Sequence, residues 1–200
     1  MFSSISDSKY HELKNVFDKM LPRQAFVVTA FALERLWQPF VEGILNCEYT
    51  EQERQEVLQL EKEILDIIWT HILYEDTQID RWEKFCELYD KIEELSAEVD
   101  LNFMAKPFYC AIVDFAGWCL RGDCADVAKR ARPDIVISVL DFIIDRASTE
   151  ITQCGEDNIA ILAEMERIDA DIQMAKDYPN NIDLILQRKV EYHVLNISHI

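Results

Sequence analysis

The segment IDRWEKFCELYDKIEEL, residues 79 to 95, spaces Ile79, Trp82, Phe85, Tyr89, Ile92 and Leu95 three or four residues apart. That interval brings side chains onto one face of an α-helix. The same interval links Tyr10, Leu13, Val16, Phe17 and Met20 near the start of the chain. Residues that would interrupt helices are scarce, with four Gly and five Pro in 200 residues, and the hairpin dipeptides Asn-Gly and Asp-Gly are absent. Long helices joined by short turns follow. No linker or fixed-period repeat divides the chain, so residues 1–200 read as a single all-α domain of seven to nine helices.

Local signals set the expected boundaries. Ser6 or Asp7 is a candidate cap for a helix over 7–20, and Pro22 suits the first turn of a second helix reaching about Asn46. Thr50 and Glu53 form a capping-box pattern opening a third helix that ends near Tyr74. A fourth is expected over about 77–98, with Asp76 or Thr77 as cap. Pro107 opens a helix stopped by Gly122. Pro133 opens another over 133–148, Gly155 and Asp157 mark a break and a fresh cap, and the last two helices cover about 158–176 and 182–195.

Charge is the strongest compositional signal. Twenty bases against 38 acids leave −18, and residues 48–100 alone hold seventeen acids and five bases. Such a field repels nucleic acid and anionic membranes and attracts basic partners. The acids are also ordered. Asp76, Asp80, Glu83, Glu87, Asp90, Glu94 and Glu98 follow one another at three or four residues, a carboxylate rail along one side of the fourth helix. Like charges at i,i+4 cost about 0.2–0.5 kcal/mol per pair, and Asp80–Lys84 and Glu87–Lys91 offset about half of the total. Helix stability alone does not select this pattern. A docking surface for a cationic protein accounts for it, with Tyr74, Glu75, Asp76, Asp80, Glu83, Glu87, Asp90 and Glu94 as the expected partner-binding residues and Tyr74 as the aromatic anchor. A plain solvated helix face is the alternative.

The stretch AFALERLWQPF, residues 30–40, sets Glu34 and Arg35 side by side in an apolar helix and follows them with Pro39. On a helical wheel Glu34, Arg35, Gln38 and Glu42 share one narrow arc. They are expected to form a wet stripe on an otherwise buried helix, with a kink where Pro39 deletes the hydrogen bond to the Arg35 carbonyl.

AFALERLWQPF, PFYCAIVDFAGW (107–118) and DVAKRARPDIVISVLDF (126–142) resemble helices of all-helical immunity proteins from bacterial polymorphic-toxin systems, including those of contact-dependent inhibition. The likeness covers about residues 22–45 and 107–144 and is one of pattern. It implies a helical fold and a protective binding role, and it transfers no catalytic residue.

Other chemistry finds little footing. GxSxG, GxGxxG and P-loop patterns are absent. None of the four histidines has Glu three residues before it, which disfavours a di-iron bundle. Glu53/Glu56 and Glu63/Asp66 resemble the Mg²⁺-binding pairs of helical nucleotide pyrophosphatases, but both lie on one helix where facing helices are needed. RGD at 121–123 is a chance-length match, and Cys124 has acidic neighbours that oppose a thiolate. His71 reads as a core or boundary residue. The six cysteines (47, 86, 110, 119, 124 and 154) read as buried thiols rather than staples or zinc ligands. No signal peptide or spanning segment is legible, so a soluble cytoplasmic protein is expected.

The expectation is therefore a non-enzymatic immunity or antitoxin-like protein that binds and neutralises a basic toxin domain, a nuclease among the candidates. It requires no cofactor, metal or catalytic residue. The alternatives are a metal-dependent nucleotide hydrolase on a helical scaffold and a general protein-interaction module.

Overall fold

The computed structural model describes residues 2–74, 83, 86, 87, 90, 91, 104–112, 133–150 and 158–195. Its long helices are α1 (Phe2–Phe17), α2 (Pro22–Leu45), α3 (Glu51–Tyr74), α4 (Pro133–Glu150), α5 (Ile159–Asp177) and α6 (Ile182–His193). Residues 106–112 form a short helical run, and residues 83, 86, 87, 90 and 91 are also helical. Among the described residues there is no strand, and no helix is long and apolar enough to cross a membrane.

Most of the expected ends are where local chemistry puts them. Pro22 opens α2, and Gln24 Oε1 accepts the Leu21 amide at 2.8 Å. At α3 the Glu53 carboxylate accepts the Thr50 amide at 2.7 Å, while Thr50 Oγ1 accepts the Glu53 amide at 3.3 Å, both arms of the capping box. Pro133 opens α4, which runs two residues beyond the expected Ser148. Two starts differ. The α1 backbone is already helical at Phe2, upstream of Ser6 and Asp7. Asn158, rather than Asp157, caps α5, its side-chain oxygen accepting from Ala160 N at 2.9 Å. Asn is an equally good cap, and spacing alone did not separate the two. Asn181 caps α6 in the same way, through Leu184 N at 3.1 Å. The expected helix over 77–98, apart from its five described positions, and the helix end at Gly122 lie outside the described residues.

Helix α2 is the axis. It packs against α3, α4, α5 and α6, while α1 packs on α4 and α4 on α5. Residues Ala25 to Trp37 are buried without a break, so α2 offers its neighbours no solvent face over more than three turns. Helix α3 meets α2 through Ile64, Leu65, Ile68 and Trp69, with Trp69 tilted on Phe31 at 5.7 Å. Farther along α2, Trp37, Phe40 and Phe108 form an aromatic cluster with centroids 4.6–5.6 Å apart. Cys47 is buried as expected of a small hydrophobe. Cys86 is half-buried and Cys110 is exposed, because neither faces this core. The remaining cysteines lie outside the described residues.

The α5–α6 hairpin lies along α2, held at three levels. Arg23 Nε donates to the carbonyl of Pro179 in the turn (2.9 Å), Arg35 meets Asp171 and Glu164 midway, and Gln38 Nε2 donates to the His193 carbonyl (3.0 Å). These contacts order α5 antiparallel and α6 parallel to α2. From the other side, Lys9 of α1 is buried to 3% exposure and reaches Asp169 of α5 at 2.6 Å.

One polar group in the α3 core has no such compensation. Glu61 has no exposed surface, and neither carboxyl oxygen has a hydrogen-bond partner. Burial pushes its carboxyl well above the ordinary range. A carboxyl raised on folding contributes stability below its unfolded value of about 4.3, and that contribution is lost as pH climbs through the folded value. Glu61→Leu should raise stability at neutral pH by about 1–3 kcal/mol. It should also flatten the decline in stability between about pH 4 and pH 7, checked by urea denaturation across that range.

Candidate functional site

Polar side chains gather where α2 faces the hairpin. On α5, Ile161, Glu164, Ile168, Asp171, Ile172 and Ala175 share the inward face, so two carboxylates sit among aliphatic side chains with no exposure. Opposite them stands Arg35, also fully buried. Its Nη1 donates to Asp171 Oδ2 at 2.5 Å, and its Nε lies 2.9 Å from Glu164 Oε1 as an ion pair, off-axis for a hydrogen bond. The other Asp171 oxygen accepts from Tyr192 Oη at 2.7 Å and from Arg188 Nε at 3.1 Å. Arg167 Nη1 reaches the second Glu164 oxygen at 3.3 Å, and Arg188 Nη1 reaches Glu191 at 3.4 Å. Both Arg35 and Arg188 approach the Tyr192 ring, at 4.5 and 4.9 Å from its centroid. Three guanidiniums thus stand against the carboxylates of Glu164, Asp171 and Glu191, a neutral set.

Burial by itself would lower the Arg35 pKa, but Glu164, Asp171 and Tyr192 outweigh it and hold the guanidinium charged. Burial pushes the Glu164 carboxyl up, and Arg35 and Arg167 pull it back. Burial, reinforced by Asp171, also raises the Tyr192 phenol and keeps it a hydrogen-bond donor. Every titratable group in the cluster is committed to a neighbour, the arrangement of a structural knot rather than of an acid–base pair waiting for substrate.

Glu34 turns the other way. Its Oε2 meets His193 Nδ1 at 2.9 Å, while Oε1 has no partner despite zero exposure. Trp37 stacks on the His193 ring at 6.4 Å, and Lys189 Nζ lies 5.1 Å above the Trp69 ring. Burial lowers the Lys189 pKa, with Glu34 opposing.

The expected wet stripe is therefore dry at two of its four positions. Glu34 and Arg35 are fully buried, because α6 brings His193 to the one and α5 brings Glu164 and Asp171 to the other, and Gln38 and Glu42 are half-buried. Glu34 and Arg35 diverge, as neighbours on a helix must, one to the end of α6 and the other to α5. Pro39 sits inside a helix that continues uninterrupted to Leu45. Glu164, Asp171, Arg188 and Tyr192 were not singled out from sequence. The signal was present, since 164, 168, 171, 172 and 175 mark an apolar helix face carrying two acids.

Of the carboxylate rail, Glu83, Glu87 and Asp90 are described, and all three are helical and exposed. Burial, then Asp90, with Glu83 and Glu87 adding, raises the pKa of the Cys86 thiol between them. Tyr74 is the last residue of α3. Glu75, Asp76, Asp80 and Glu94 lie outside the described residues, as do RGD 121–123 and Cys124. Three of the four pyrophosphatase-like acids are used locally, Glu53 capping α3, Glu63 accepting from Gln59 at 2.8 Å and Asp66 pairing with Lys62 at 2.5 Å, and Glu56 is exposed. Among the described residues no three His, Cys, Asp or Glu side chains are placed to hold a metal ion. An open depression of about 270 Å³, lined by Lys106, Pro107, Cys110, Asp141, Phe142 and Asp145 among others, shares no residue with the Arg35 cluster.

The fold and this cluster define an all-α protein clamped by a buried ionic knot. Compared with known protein families, with curated proteins and with solved structures, the chain matches none.

Removing one member of the knot strands the others. Arg35→Met should cost about 3–5 kcal/mol by urea denaturation, and Arg35→Met/Glu164→Leu/Asp171→Leu should recover a large part of that loss. A triple variant as unstable as the single one would show that the carboxylates do not depend on Arg35.

Proposed function

We propose that the protein is an immunity or antitoxin-like binding protein that captures and neutralises a basic toxin domain, nuclease-type domains being the best chemical fit. The reading is carried by the exposure of Glu83, Glu87 and Asp90 at helical spacing in a chain of net charge −18. The Arg35 knot is neutral, so the acid excess is not consumed by internal pairing. An outward row of carboxylates imitates the charge spacing of a phosphate backbone and steers a nucleic-acid-binding surface toward it. The pattern resemblance to helical immunity proteins supports the same reading.

Co-expression with the product of the neighbouring reading frame should give a stable complex and relieve its toxicity, and a neighbour that neither binds nor poisons the cell removes the reading. Within that complex, Glu83→Gln/Glu87→Gln/Asp90→Asn should slow association about tenfold at low salt and change dissociation little. Stopped-flow association rates over a salt series measure this, and an unaltered rate at low salt excludes the rail as the steering surface.

A further inference from the structure

Glu61 is a carboxyl that the fold encloses without pairing. It has no exposed surface, and neither oxygen has a hydrogen-bond partner. Its neighbours one turn away on α3 are Val57, Leu58, Ile64 and Leu65, so the helix itself offers it only apolar groups. The other buried carboxylates among the described residues are paired, Glu164 and Asp171 with Arg35 and Glu34 with His193.

Charged groups on the surrounding helices are engaged elsewhere. On α2, Arg35 is taken by α5 and Glu34 by α6. On α6, Lys189 lies over the Trp69 ring, about two turns along α3 from Glu61. On α3 itself, Lys62 holds Asp66, and Arg54 donates to the Cys47 carbonyl. Burial is the one cause that raises the Glu61 carboxyl, and none of these groups, nor half-buried Glu42 of α2, contributes.

Enclosed, such a carboxyl keeps its proton; in water it gives the proton up above about pH 4.3. Each opening that brings Glu61 to solvent therefore releases one proton to water. The open form gains about tenfold in population per pH unit until the enclosed carboxyl itself ionises. The manner in which each helix is held decides which contact opens. Helix α2 is fixed to the α5–α6 hairpin by Arg23, Arg35 and Gln38. Helix α3 meets α2 through Ile64, Leu65, Ile68 and Trp69, apolar side chains that separate without stranding a charge.

We propose that Glu61 is a charge-operated latch on the α2–α3 contact: loss of its proton releases α3 as a unit while α2 stays docked on the α5–α6 hairpin. The latch needs no ligand and stands apart from the proposed capture of a basic partner.

Hydrogen exchange of the full chain from pH 5 to pH 8, corrected for the intrinsic pH dependence of exchange, tests it. Amides of residues 57–72 should open at least about tenfold more often at pH 8 than those of α2 and α5, and with a weaker urea dependence. Their opening should increase at least about tenfold between pH 5 and pH 7. Glu61→Gln keeps the shape of the side chain and cannot ionise, so this pH response should vanish. Glu61→Leu should remove it as well and lower the opening at pH 8, which keeps the test decisive if the Gln variant folds poorly by circular dichroism. Three results overturn the proposal: no pH response in α3, equal opening of α3 and α2 at every pH, or a response that survives in both variants and so belongs to another group such as His193.

Discussion

A guanidinium without solvent must find anions, and the position of Arg35 makes that demand at the centre of the molecule. Taking the charge out of water costs several kcal/mol, which only close and well-placed carboxylates offset. Asp171 and Glu164 meet the demand from one face of α5, and Asp171 in turn binds Arg188 and Tyr192 of α6. Aliphatic ridges on α2 and α5 could interdigitate in more than one register. Arg35 reaches Glu164 and Asp171, two turns apart on α5, from a level between them, so sliding α5 by one turn, about 5.4 Å, would keep one carboxylate within reach and strand the other. The ionic knot therefore specifies the register of the hairpin more than it adds to stability, and the apolar contacts around it supply the binding free energy.

Because α2 is buried along most of its length, each neighbour is positioned by what α2 presents to it. Phe31 meets α3 through Trp69, Trp37 and Phe40 meet Phe108, and Arg23, Arg35 and Gln38 hold the hairpin. Among the described residues, buried Arg35 is met by Glu164 and Asp171, whereas buried Glu61 has no partner and one oxygen of buried Glu34 has none. Exposed carboxylates such as Glu83, Glu87 and Asp90 carry charge outward, where solvent screens it. Packing and the electrostatic field are thus divided between different residues, so variants at the exposed carboxylates change the field while leaving the knot intact.

Sequence reading located what local chemistry decides. Thr50 and Glu53 form their box because both partners lie within one turn, and Pro22 and Pro133 open helices because a missing amide is harmless there. The same reading misjudged solvent. Glu34 and Arg35 share a polar arc, which a wheel interprets as wet, yet complementary groups 130 to 160 residues away dried it. Cys110, apolar enough to expect inside, faces outward because the side of the run 106–112 that packs belongs to Phe108, Ala111 and Ile112.

The order of residues along the chain determined the all-α class, most helix ends and the surplus of acid, since each depends on neighbours within a few positions or on composition alone. Tertiary structure decided which polar residues lose water and which partners neutralise them. Those outcomes depend on helices distant in sequence meeting at one register, and periodicity within a single helix carries no information about what stands opposite it.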